Sequence, residues 1–359
     1  MTLAVNIAQS GSNNVTFRNR IINGAMVIDQ RNAGASVSFA ASASAYTVDR
    51  FLVENATDGT LTVQQSSTAP TGFSKSLLIT ITAADASLGA TQRCRILQAI
   101  EGFNTADLAF GTASASAVTL SFWVRSSLTG TFGGALNNGD VNRSYPFTYT
   151  ISSANTFEYK TVTVSGETTG TWNTGNTVGM YVQFGLGVGS TFSATAGAWA
   201  TSQIMSATGA TSVVGTNGAT FYITGVQLEA GTTASPFEYR QYGTELLLCQ
   251  RYCENIIASG TNAPLWSLSA GSSANARGGY FYKVQKRASP SFTNLIGTTY
   301  LSQFAAGNFI PSAVNLAASN PNGMLVDSIC SGLTVGQAGF QLEGTLTAGT
   351  IVCLFTAEL

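Results

Sequence analysis

The chain has 359 residues, of which 44% are hydrophobic and only 9% charged, with a net charge of about −1. The length favours two or three domains with sizeable cores, and the near-zero charge excludes the electrostatic footprint of a nucleic-acid or anionic-membrane binder. The absence of histidine excludes a Ser-His-Asp triad and every histidine-dependent metal site. Charged residues normally make up about a quarter of a chain, so the polar surface here is built from Ser, Thr, Asn and Gly. No cofactor is expected, and no acidic loop of EF-hand type is present.

Residues 1–16 are polar and too short to fold alone; they are expected to order on a partner protein. They lack the basic start and apolar core of a secretory signal. No stretch reaches the length of a membrane span, so no membrane insertion is expected. From Phe17 onward strands are predicted: Tyr46–Glu54, Leu77–Thr82, Val118–Arg125, Tyr159–Val164, Tyr181–Leu186 and Thr220–Leu228. The clearest is Val118–Arg125. Leu120, Phe122 and Val124 face one way there, Ser121, Trp123 and Arg125 the other. LNNGD at 136–140, SGETTG at 165–170 and NTGN at 173–176 read as turns.

A helix is predicted to start at Thr244 as its N-cap. Leu246, Cys249, Cys253 and Ile256 then recur at helical spacing as an apolar stripe. That stripe is the candidate oligomer contact, at a three-fold axis or against the sandwich. Beyond Gly260 the strand pattern returns in GGYFYKVQK, SFTNLIGTTY, GMLVDSIC and TIVCLFTAEL. The predicted fold is therefore all-β: a jelly-roll β-sandwich, a short helix, and a second, smaller antiparallel β domain. The expected divisions are residues 1–16, 17–240, 241–257 (linker helix) and 258–359. GVQLEAG at Gly225 is echoed by GFQLEGT at Gly339, more simply as two similar strands than as a duplicated domain. The five cysteines are odd in number and irregular in spacing, and read as buried thiols.

Three groups of residues carry a family resemblance. They are FRNRIINGAMVIDQRNAG with YTVDRF, LQAIEGFN with VTLSFWVRSS, and GVQLEAG with SPFEYRQYG and ELLLCQRYCE. Together they span Phe17 to Ile257 and resemble bacteriophage tail-fibre and appendage proteins with a carbohydrate-binding-like β-sandwich. KRASPSF at 286–292 resembles a strand of the terminal domain of such proteins. The resemblance implies a tail-fibre or receptor-binding subunit of the virion. Such a subunit is expected to be a homotrimer, made in the host cytoplasm, anchored to another virion protein through residues 1–16, and to recognise a host surface glycan without catalysis. The alternative is a structural virion subunit without sugar binding: a head fibre, decoration protein or adaptor. A glycan depolymerase is the third option. It needs two carboxylates flanking the bond, and Glu101, Asp107, Asp140 and Glu158 are the acids to inspect.

Sugar binding needs aromatic platforms beside hydrogen-bonding groups, because a pyranose offers C–H faces and a ring of hydroxyls. Trp172 and Trp199 sit in loops rich in small residues. With Asn137, Asn138 and Asp140 they are the candidate carbohydrate-binding residues. The competing reading makes the two tryptophans plugs that anchor their loops.

Overall fold

The computed structural model describes residues 17–260, 264–295, 300–305, 307–342, 346, 348 and 350–359. The segment 1–16, expected to be a virion anchor, lies outside the described residues. The chain divides into two compact units, Met1–Arg240 and Gln241–Leu359.

The first unit carries fourteen described strands. They are β1 (Val37–Phe39), β2 (Ala43–Tyr46), β3 (Leu52–Ala56), β4 (Thr60–Ser66), β5 (Ser76–Ala83), β6 (Arg93–Glu101) and β7 (Val118–Ser126). There follow β8 (Gly130–Asn138), β9 (Ser144–Ile151), β10 (Glu158–Val164), β11 (Val178–Val188), β12 (Ser193–Ala194), β13 (Ser206–Ala207) and β14 (Thr220–Ala230). Twelve of them build two six-stranded antiparallel sheets, ordered β1-β4-β5-β14-β7-β10 and β2-β3-β6-β11-β8-β9. The sandwich follows from period-two alternation. In β7, Leu120, Phe122 and Val124 are fully buried, as the sequence predicts. From the second sheet Val53, Ile96, Phe184, Leu136 and Phe147 join them in one core. Phe122 packs edge-to-face on Phe184 and Tyr149, with centroids 4.9 and 5.0 Å away.

The single strand predicted over Tyr46–Glu54 is instead two, broken at residues 47–51. Arg50 adopts φ +72 there. Asp49 is fully buried and accepts bonds from the Gln30 backbone (3.0 Å), the Gln30 amide (2.5 Å) and Arg31 (3.2 Å). Pinning this carboxylate to the 30–31 segment turns the chain where β-propensity alone runs on.

The three segments that carry the family resemblance meet in one buried polar seam. Asn19 Oδ1 accepts the Ile21 and Leu228 backbone N–H groups, and Asn19 Nδ2 donates to the Val226 carbonyl. The Gln98 side chain exchanges two 2.8 Å bonds with the Ile22 backbone. Glu238 accepts the Arg18 and Asn19 N–H groups, and its own N–H donates to Gln227 Oε1. Glu229 holds Ser235 by its N–H and its hydroxyl. These residues close the sandwich by joining the incoming chain to β14. Gly225 sits at a bulge of β14 with φ +61, and a Cβ there would lie 2.7 Å from the Phe73 ring and 3.0 Å from Trp123. Gly339, in the echoed motif, pairs regularly with Phe304 and Leu268 and has no positive φ. The two motifs therefore do different structural work.

The second unit opens with the only described α-helix, α1 (Tyr242–Gln250), followed by β15 (Cys253–Ile257), β16 (Pro264–Ala270), β17 (Asn275–Phe281) and β18 (Ser291–Asn294). Then come β19 (Leu301–Phe304), β20 (Gly307–Phe309), β21 (Ala313–Asn320), β22 (Gly323–Ile329), β23 (Ala338–Leu342) and β24 (Ile351–Thr356). They form an antiparallel three-stranded sheet, β15-β24-β18, and a seven-stranded one, β20-β19-β23-β16-β17-β22-β21. Trp266, Tyr300, Val326, Val352 and Phe355 centre their shared core.

The helix corrects the sequence reading in three ways. Its N-cap is Gln241 rather than Thr244. It ends at Gln250, so Cys253 and Ile256 belong to β15 and not to a helical stripe. Cys249 and Cys253 are fully buried within the single chain, and Ile256 packs on the second core. Of the four, only the half-buried Leu246 remains on the helix with any exposure. The four residues therefore do not form one helical stripe. All five cysteines are buried. Burial pushes the Cys94 thiol up to about 12, so it is inert at neutral pH.

Candidate functional site

The loop residues singled out by sequence are engaged in structure. Asn137 is fully buried; its amide donates to Ser144 Oγ (2.5 Å) and the Ile204 carbonyl (2.8 Å), and its oxygen accepts from Gln183. Asn138 is also fully buried. Its oxygen takes the Asn142 and Arg143 N–H groups, and its amide donates to Asn142 and the Thr171 carbonyl. Neither amide has a group left to offer a sugar, so both are corrected from ligand contacts to loop ties. The reason is physical: an amide supplies both donors and acceptors, so one buried Asn secures a whole turn. Asp140 is exposed and lies 3.5 Å from the Asn173 amide.

Trp172 and Trp199 are half-buried and perpendicular to each other, with centroids 5.6 Å apart. Both stand edge-to-face with Phe110, at 4.7 and 6.0 Å. Their indole N–H groups donate to the Thr169 and Ser165 carbonyls. This clasp fixes the 165–172 and 196–199 loops. Beside it a cavity of about 260 Å³ is lined by Tyr145, Phe147, Thr148, Val162, Ala196 and Gly197. Thr148 and Tyr145 offer the polar side-chain groups in that lining, one hydroxyl each. Among the other acids, Asp107 is held by Arg20 at 2.6 and 3.0 Å, and Glu158 by Lys160 and the 152–153 backbone.

A richer polar array lies on the outer face of the second sheet. Val53 and Ile96 point into the core, so their neighbours Glu54, Arg93 and Arg95 point out. Glu54 Oε1 accepts from Arg93 Nη2 at 2.6 Å, and Oε2 from Arg95 Nε at 2.5 Å. Arg95 Nη1 donates to Gln183 Oε1 at 2.5 Å. Phe192 lies against Arg93, with the guanidinium carbon 5.3 Å from the ring centroid. Tyr181, two residues from Gln183 on β11, and Tyr46, on β2 beside β3, face the same side. Among the described residues, no acceptor meets Arg93 Nη1 or Arg95 Nη2. The array therefore holds fixed planar groups with donors to spare, flanked by rings. These are the parts that pairs of sugar hydroxyls require.

Sequence reasoning passed over these residues because they come from three distant segments. The signal was nonetheless present: RCRIL places two arginines at i and i+2 of one strand, which puts both on one face.

Burial pushes the Glu54 carboxyl up, but Arg95 and Arg93 outweigh it and hold it below the ordinary value of 4.5. A carboxylate with a lowered folded value stabilises the fold fully above its unfolded value, and that stabilisation is lost as pH falls through the folded one. The first unit is expected to lose stability below about pH 4.5, and Glu54→Gln to flatten that acid limb. Thermal unfolding between pH 3 and 7 measures both; identical acid limbs would contradict the assignment.

Among the described residues there is no cluster of metal-binding side chains, and no helix is long and apolar enough to cross a membrane. No family model and no curated protein matches the sequence. Solved structures show partial likeness. The enzymatically active domain of tailspike protein 4 of bacteriophage CBA120 is 12% identical with a TM-score of 0.31, over 60% of this chain and 22% of that one. A family 11 carbohydrate-binding module from Clostridium thermocellum, in complex with a mixed-linked tetrasaccharide, is 9% identical with a TM-score of 0.27, over 56% of this chain and 100% of the module. Neither likeness assigns a ligand or an activity to this chain.

Proposed function

We propose that the protein is a bacteriophage virion appendage subunit, a tail fibre or receptor-binding protein, that holds a host surface glycan non-covalently. The observation that carries the binding reading is the Glu54–Arg93–Arg95 array, with its free guanidinium donors beside Phe192 on a sheet face that also carries Tyr46 and Tyr181. Vicinal sugar hydroxyls would bridge the guanidinium edges, and the rings would meet C–H faces. No catalytic step is assigned. The low-charge composition and the sequence resemblance support the virion setting, in which the subunit works as a homotrimer joined to another virion protein through residues 1–16. Weak single contacts then gain from multivalency.

One observation favours a structural virion subunit without sugar binding. The tryptophans and asparagines first nominated as ligand contacts tie loops together instead. Immunogold electron microscopy of particles tests the virion assignment. Label at a tail appendage is the expected outcome; label on the head supports the structural subunit, and its absence from particles rejects both. A monomeric mass by light scattering would reject the trimer.

A further inference from the structure

We propose a second ligand site, in the second unit, that takes a neutral sugar ring on the face of Phe281. It is independent of the array on the first unit and does not require that array to bind. Phe281 is the last residue of β17 and is 85% exposed, the most of any large apolar side chain among the described residues. An isolated ring in water is unremarkable alone, but this one borders a cavity of about 280 Å³. The other walls are Tyr280, Asn320, Asn322, Met324 and Leu325, together with small residues.

Two features point to a sugar. No charged residue lines the cavity, so an ionised ligand would find no partner. The Tyr280 and Ser319 hydroxyls are bonded to Glu254 and Tyr282, so the polar groups left to a ligand are amides on the tight turn between β21 and β22. Asn320 Oδ1 accepts the Asn322 and Gly323 N–H groups at 2.8 and 3.2 Å, which fixes the turn and leaves the amide N–H₂ unspent among the described residues. Asn322 is exposed, and its side chain meets no partner among the described residues. Its carbonyl accepts from the Tyr282 N–H at 3.1 Å, which anchors the turn beside Phe281. A pyranose would lay its C–H face on the ring and direct hydroxyls to the two amides.

Saturation-transfer NMR of the full chain with the methyl glycosides of glucose, galactose and N-acetylglucosamine tests the site. Transfer to the ring protons of at least one glycoside is expected. Phe281→Ala should reduce it at least about fivefold with the unfolding temperature unchanged, since the ring is exposed. Asn322→Ala should reduce it in part, and both reductions should also be seen in an Arg95→Met background, where the first-unit array no longer contributes. The proposal is overturned if no glycoside shows transfer, or if Phe281→Ala transfers as well as wild type. It is also overturned if Phe281→Ala lowers the oligomeric mass, which would make the ring a contact between copies. Loss of transfer in Arg95→Met would move the bound sugar to the first unit and overturn this site while leaving the proposed function in place.

Discussion

Lys286→Met is expected to destabilise the second unit by about 3–5 kcal/mol, the usual consequence of removing one partner of a buried ion pair. The Lys286 and Glu254 side chains are both fully shielded from solvent and meet at 2.5 Å. The ammonium also donates to the Gln250 carbonyl and lies 4.9 Å from the Tyr282 ring. Glu254 accepts from Tyr280 Oη at 2.6 Å and the Lys283 N–H at 3.2 Å. The pair thus ties the end of α1, the start of β15 and the segment after β17 into one polar node. Removing the lysine leaves a carboxylate in an apolar setting with only neutral donors. The double variant Lys286→Met, Glu254→Gln should recover part of the loss, because the uncompensated charge disappears. Hydrogen exchange at the β15 and β24 amides, read by mass spectrometry, reports this unit locally. A loss under about 1 kcal/mol, the range of an exposed pair, would show the node to be hydrated.

Asn19→Ala is expected to cost the first unit at least about 2 kcal/mol. Three bonds of 2.9–3.1 Å disappear at once, and each buried backbone group left without a partner costs about 1–3 kcal/mol. Asn19 is only 4% exposed, so water does not replace the lost partners. The incoming segment should then detach from β14, lowering the denaturant midpoint followed by circular dichroism. A midpoint unchanged within error would mean that the seam contributes nothing measurable.

The seam also explains why the resemblance was legible from the sequence while the proposed ligand site was not. FRNRIIN, LQAIEGFN and GVQLEAG with SPFEYR are residues whose polar side chains close the sandwich, and a backbone of given shape constrains them strongly. They mark a fold and no receptor. Alternation made β7 and its inward Leu120, Phe122 and Val124 readable, because period two is a local property. The break at Asp49 was unreadable, since it depends on Gln30 and Arg31, some twenty positions earlier. The helix was placed near its true start but extended too far. Leu246, Cys249, Cys253 and Ile256 keep helical spacing in sequence, yet pairing of Cys253–Ile257 with β24 converts the last two to strand. Long-range pairing overrides a short stripe. The glycan contacts were sought in loops, where small residues surround a tryptophan. Those rings instead pack edge-on against Phe110, while the free donors lie on strands far apart in sequence.

Glycan recognition by the first unit is tested most directly by presenting the intact protein to an array of bacterial surface polysaccharides. Alongside wild type run Arg95→Met, Glu54→Gln and Trp172→Ala. Binding of wild type to a restricted set of glycans is expected. That binding should fall at least about tenfold in Arg95→Met and in Glu54→Gln, as loss of one charge-assisted hydrogen bond implies. It should persist in Trp172→Ala wherever that variant remains folded. Absence of binding to every glycan, or binding that Arg95→Met and Glu54→Gln leave unchanged while Trp172→Ala abolishes it without unfolding, would contradict the account.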